Sequence, residues 1–140
     1  MYKMKMIKTF IDKPWGYEKI WAMTDKYVGK LLYIKPGHKL SRQYHEKKEE
    51  TIYVLDGSLT LEIGPRDNFE TITLPREYTY HIEPGKIHRF CAAPNGMPVT
   101  LMEVSTPELD DVVRLEDIYD RVDAKWFVFK LLLWAKTPFT

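Results

Sequence analysis

The chain has one cysteine, Cys91, in 140 residues. An internal disulfide is therefore excluded, and with it the disulfide-stapled class of small folds. Cys91 stands between Phe90 and Ala92, a setting that suits a buried thiol better than a nucleophile. Charge of one sign is also lacking: the formal net charge is +1, so no basic field is available to hold nucleic acid. No apolar run is long enough to cross a bilayer. Lys3, Lys5 and Lys8 are followed by neither a long apolar segment nor a small-residue cleavage site, so a reducing, cytoplasmic setting is expected. Internal repeats, low-complexity stretches and a domain linker are missing too, and helical periodicity is confined to Leu109–Tyr119.

What is present reads as strand. Apolar and polar residues alternate over Tyr27–Lys35, Thr51–Leu55, Leu59–Ile63 and Val99–Val104. Turn signals separate these runs: Pro36-Gly37, Asp56-Gly57, the stretch Gly64 to Asn68, Pro84-Gly85 and Pro94-Asn95-Gly96. Asp56-Gly57 between two alternating runs predicts a hairpin. Many short strands at regular spacing predict an all-β sandwich or barrel. The hydrophobic share of 44% and charged share of 29% are those of a soluble globular protein, and the length is that of one domain with its own core. Residues 1–123 are expected to form this domain, with a short C-terminal helix at its end. Residues 124–140, which include the apolar run Trp126 to Trp134, are expected to form a tail packed on the barrel or on a partner subunit.

Four residues carry the chemistry. Gln43 and His45 are two apart in a strand-like run, so their side chains leave the same face and can aim at one ion. Glu50 enters the next apolar run, and His88 follows the turn Glu83-Pro84-Gly85. Taken singly, each has a bland reading as a surface or satisfied core residue, and Glu50 closes a charged cluster, Glu46 to Glu50, of the kind that usually forms a solvated face.

The pattern around these residues resembles the cupins, small double-stranded β-helix barrels of the jelly-roll kind. Gly37, His45, Glu50 and Gly57 match the first cupin motif, with Gln43 where its first His usually stands; Pro84-Gly85 and His88 match the second, without the usual later Asn. The glutamine is similar to that of type II phosphomannose isomerase cupins, including the isomerase domain of bifunctional mannose-1-phosphate guanylyltransferase/mannose-6-phosphate isomerases. Lys13-Pro14-Trp15-Gly16, Lys30, Ile34 to Gly37, Leu40-Ser41, Leu101 to Val104 and Asp111 to Arg121 follow the same family pattern. The departures are Arg42 in an apolar position, Glu46 to Lys48 in place of a His-rich stretch, and the apolar tail.

The resemblance implies a metal-dependent isomerase that interconverts mannose 6-phosphate and fructose 6-phosphate through a cis-enediol. Gln43, His45, Glu50 and His88 would hold a divalent ion, zinc first, with Mn, Co or Ni able to replace it. No separate organic cofactor is expected. Lys30 is the candidate proton-transfer base if it points into the barrel, and a surface lysine otherwise. Arg114 would grip phosphate or developing negative charge, or else pair structurally with Glu116 or Asp117. By strand alternation Arg42, Tyr44 and Arg89 should face away from the ion. The expected partner is a small phosphorylated sugar, with no nucleic acid or membrane, and the expected assembly is a homodimer. Two other functions share the pattern: a non-catalytic, metal-containing sugar-binding cupin, and a non-haem metal oxygenase, whose ligand set also has two His and a carboxylate.

Overall fold

The computed structural model describes residues 10–121, and eleven strands account for its regular structure. They are β1 (Phe10–Lys13), β2 (Gly16–Met23), β3 (Val28–Ile34), β4 (Arg42–Tyr44), β5 (Glu50–Asp56), β6 (Leu59–Ile63), β7 (Glu70–Leu74), β8 (Thr79–Ile82), β9 (His88–Ala92), β10 (Val99–Ser105) and β11 (Val113–Glu116). A six-stranded sheet runs β1-β2-β3-β10-β5-β8 and a five-stranded sheet runs β11-β4-β9-β6-β7, with every pairing antiparallel. This is the expected all-β cupin barrel. The apolar tail, residues 124–140, lies outside the described residues.

The alternation in the sequence places the core. On β5, β6 and β10 every second residue is buried: Glu50, Ile52 and Val54; Leu59, Leu61 and Ile63; Val99, Leu101, Glu103 and Ser105. The apolar members of these sets join Trp15, Leu32, Ile34 and Phe90 in one cluster between the sheets. Each fully buried Ile or Leu contributes roughly 1.5–3 kcal/mol. The same alternation turns Glu50 and Glu103 inward among them, so the pattern that builds the core also delivers its buried charges.

Two local expectations are corrected. Asp56-Gly57 is a turn but not a hairpin: β5 pairs with β10 and β8, whereas β6 pairs with β7 and β9, so the chain crosses between sheets at this point. Gly57 makes the crossing possible. Its φ is +77°, and a Cβ there would lie 2.3 Å from the carbonyl oxygen of Pro98. The second correction concerns Leu109–Tyr119, which holds β11 and turns rather than a helix, and no helix occurs among the described residues. Tertiary context outweighs the helical period here. The open edge of β4 accepts β11, with Val113 opposite Tyr44 and Arg114 opposite Gln43, and the ladder is bulged between Arg114 and Glu116. Leu109 and Val112 meanwhile face a cavity inside the barrel.

Candidate metal centre and its cationic cavity

The ladder aligns the site. Arg114, Gln43, His88 and Ile63 lie opposite one another on four successive strands of the five-stranded sheet. On the six-stranded sheet Ile20, Lys30, Glu103 and Ile52 form a comparable row. Directly opposed residues share a face, so the two rows present their polar members to the barrel interior.

His45, just after β4, meets Glu50 and His88 in the interior. One ligand-capable atom from each lies within 4.8 Å of the others. Glu50 Oε1 is 3.0 Å from His88 Nε2 and 3.6 Å from His45 Nε2. All three residues are 2% exposed or less. Each ring is oriented through its other nitrogen: His45 Nδ1 donates to the carbonyl of Asp111 at 2.5 Å, and His88 Nδ1 to the carbonyl of Lys86 at 2.8 Å. In the neutral ring this puts the lone pair on Nε2, facing the carboxylate. The two Nε2 atoms and Glu50 Oε1 are buried without a hydrogen-bond partner. Acceptors turned toward one another in a sealed space are unfavourable alone and are relieved by a cation. The residues therefore fit a divalent ion.

Gln43 stands opposite His88, half-buried, and its Oε1 accepts a 2.7 Å hydrogen bond from Ser41 Oγ. The amide oxygen keeps a second lone pair for a ligand.

Lys48 and Glu103 belong to the same constellation, although the sequence reading gave neither a place in the site. Lys48 Nζ is 3.0 Å from Glu50 Oε2 and 3.5 Å from Glu103 Oε2, and both side chains are buried. Burial alone would raise the Glu50 carboxyl, but the Lys48 ammonium beside it outweighs this and holds Glu50 well below the usual carboxylate range. Glu103 goes the other way: burial, and then the charge of Glu50, push it up to about 7. Lys48 is held above the usual lysine value, because Glu103 and Glu50 more than offset its desolvation. Only part of the Glu46 to Glu50 cluster is a solvated face. Glu46, Lys47 and Glu49 are exposed while Lys48 and Glu50 point inward. The two-residue spacing of Lys48 and Glu50 was the signal for this, matching that of Gln43 and His45.

A cavity of about 100 Å³ opens beside the cluster, walled in part by Gln43, Lys48, Glu103, Lys30 and Arg114. His45, Glu50 and His88 do not line it. Lys48, which does, links its wall to Glu50. Lys30 thus points inward, its Nζ 3.6 Å from Glu18 Oε2. Arg114 lines the same cavity from β11. Glu116 is engaged by Arg42, Arg66 and Arg89, and Asp117 by Arg121. Arg42 and Arg89 turn away from the cluster as expected. Arg42 Nη2 bonds Glu62 at 2.9 Å and its guanidinium stacks on Phe69, while Arg89 Nε donates to the carbonyl of Leu40. Cys91 is half-buried beside Glu62.

Residues 2–117 match the family described as mannose-6-phosphate isomerase C-terminal. The chain is 37% identical over 121 residues to the mannose-1-phosphate guanylyltransferase ManC of Salmonella typhimurium, covering 80% of this chain and 23% of that protein. It is 34% identical over 115 residues to the xanthan biosynthesis protein XanB of Xanthomonas campestris, covering 79% of this chain and 23% of that protein. The chain therefore spans about a quarter of these relatives. Among solved structures, a sugar phosphate isomerase from the cupin superfamily of Silicibacter pomeroyi superposes with a TM-score of 0.55 at 20% identity, over 64% of this chain and 58% of that one. That likeness shows the shared fold.

Proposed function

Because the chain belongs to the mannose-6-phosphate isomerase C-terminal family, we propose that it is a metal-dependent aldose–ketose isomerase that interconverts mannose 6-phosphate and fructose 6-phosphate. The observation that carries this reading is the sealed His45–Glu50–His88 group beside a cationic cavity. His45 and His88 would present Nε2, Glu50 one negative charge and Gln43 a neutral oxygen, a set that suits zinc and admits Mn, Co or Ni. When bound, a divalent ion supplies Lewis acidity to the carbonyl and hydroxyl oxygens at C1 and C2. Lys30 is proposed to take the proton from one of these carbons and return it to the other, passing through a cis-enediol. It would do so as the neutral amine, and Glu18 Oε2, 3.6 Å from its Nζ, orients it and is placed to accept the proton that the ammonium must first give up. Arg114, on the row of Gln43 and His88, would steady the negative charge that develops on the sugar oxygens. The same reading includes a cytoplasmic homodimer, which sedimentation and cell fractionation would check.

A coupled assay tests the reaction directly. Purified protein should form fructose 6-phosphate from mannose 6-phosphate, lose this activity with a chelator and regain it with zinc. One observation favours a second reading, a sugar-binding cupin without turnover: Lys48, bonded to Glu50, stands between the cavity and the ligand set. Metal-loaded protein that binds the sugar phosphate and never converts it would establish that reading instead. Iron content with oxygen consumption would point to an oxygenase.

A further inference from the structure

The two outer faces of the barrel differ in chemistry. On the five-stranded sheet Arg42, Glu62, Arg89 and Glu116 pair with one another. The six-stranded sheet turns apolar and aromatic groups outward instead. Ile20, Leu32 and Leu101 are buried in the interior, so their neighbours along β2, β3 and β10 face out. Leu31 on β3, Met102 on β10 and Tyr53 on β5 lie opposite one another in one outward row. To one side Tyr17 leans on Phe10 and stacks on Tyr33, with ring centroids 4.9 Å apart in each pair. To the other, the Trp21 indole lies against Gly29, where a Cβ would come within 2.6 Å of the ring. Gly29 stands opposite Val104. Trp21 and Val104 are 54% and 50% exposed. Single exposed apolar side chains are ordinary, but an aromatic and aliphatic field across five strands marks an interaction surface.

The sequence beyond the described residues holds a matching segment. Residues 126–134 carry eight apolar side chains and one charge, Lys130. Arg121, the last described residue, lines the cavity with Ile11 and Lys13 of β1 and lies near enough to Lys13 for their charges to repel. The chain therefore passes residue 121 beside β1, the edge strand that carries Phe10. Strands in a sheet are about 4.8 Å apart, which separates β1 from β5 by about 20 Å. When extended, residues 122–125 span about 13 Å and residues 126–134 about 30 Å. The first stretch suffices to round the edge and the second to cross the face. A tethered segment also meets the face at a higher effective concentration than a second copy does.

We propose that residues 126–134 of the same chain dock on the outer face of the six-stranded sheet, over Trp21, Leu31, Met102 and Val104. Aromatic and aliphatic groups then leave water on both sides of the contact, each large ring burying about 150–250 Å². None of the four face residues lines the cavity, so the docking stands apart from the isomerase reading.

The test uses the full chain carrying Trp126→Phe and Trp134→Phe. Only Trp15 and Trp21 then remain of its four tryptophans, and Trp15 is 2% exposed. Acrylamide quenching of the fluorescence therefore reports Trp21. Docking predicts weak quenching that does not change with protein concentration. Adding Phe129→Asp and Leu131→Asp should raise the quenching constant severalfold while the β-sheet circular dichroism is retained. An amine cross-linker supplies a second measurement that needs no substitution. It should join Lys130 to Lys19, which faces outward beside Leu31, within the monomer. Trp21 quenched as freely in the native protein as in urea would overturn the proposal. So would protection that survives the aspartate substitutions in folded protein, or Lys130 joined within the monomer only to lysines of other faces. Protection that fades as sedimentation passes from dimer to monomer would give the face to a second copy, and protection seen only with phosphatidylglycerol vesicles would give it to a lipid surface. Either result would overturn docking within the chain.

Discussion

Lys48 Nζ lies 3.0 Å from Glu50 Oε2, and both side chains are buried. The same ammonium reaches Glu103 at 3.5 Å, so one buried cation serves two buried carboxylates. Removing one partner of such a group leaves charge uncompensated where water cannot reach it. Lys48→Met keeps most of the stem volume and should destabilise the metal-free protein by about 3–5 kcal/mol. Urea unfolding would measure this. The loss should be smaller in metal-loaded protein, where the ion takes over part of the neutralisation of Glu50.

The ligand set predicts a graded effect on metal. His45→Ala, His88→Ala and Gln43→Ala should each abolish isomerase activity and lower metal content, read by elemental analysis after dialysis. Ser41→Ala removes the hydrogen bond that orients the Gln43 oxygen. It should weaken metal affinity by roughly 10- to 100-fold while the protein stays folded. Full metal content and full activity in any one of the three ligand variants would mean that the site is misassigned.

Asp117 gives a pH dependence whose sign is fixed. Burial pushes its carboxyl up, but hydrogen bonds from the Arg121 side chain and backbone, with the charge of Arg121, bring it below the usual value. A depressed folded-state carboxyl stabilises the fold above its unfolded value, about 3.9, and the contribution is lost as pH falls through the folded value. The stability gap between wild type and Asp117→Asn should therefore be full near neutrality and close as the pH drops below about 4. Denaturation midpoints measured across that range would show it, and a constant gap would contradict it.

Cys91 should be a slow nucleophile. Burial, and then the neighbouring Glu62 carboxylate, raise its thiol to about 12. At pH 8 only roughly one molecule in ten thousand then carries the thiolate, against about a quarter for an ordinary thiol. Alkylation by iodoacetamide should be at least about a hundredfold slower in the native protein than after unfolding. Equal rates in the two states would count against the burial seen here.

The barrel was legible because its strands are half-buried and alternate cleanly, as on Leu59–Ile63 and Val99–Ser105. Gln43, His45, Glu50 and His88 were legible through spacing joined to a family pattern. What sequence spacing does not carry is pairing. Asp56-Gly57 looks like a hairpin because the turn chemistry is the same whether the chain returns to its own sheet or crosses to the other. Leu109–Tyr119 looks helical because an edge strand next to β4 that also turns Leu109 and Val112 to a cavity shows no strict alternation. Lys48, Glu103 and Lys13 entered only as parts of a sequence pattern, with no place in the site, for a related reason. A charged residue in an alternating run reads as surface until the run's inward face is known, and Glu103 shares the face of Leu101.

Glu50 belongs to one sheet and His88 to the other, and β4, only three residues long, is joined to β9 by the single register pair of Gln43 with His88. An ion gripped by both residues would act as a rivet through the barrel wall at a thinly stitched seam. Loading the site and tightening the scaffold would then be one event, and the melting temperature would climb with the logarithm of free metal concentration.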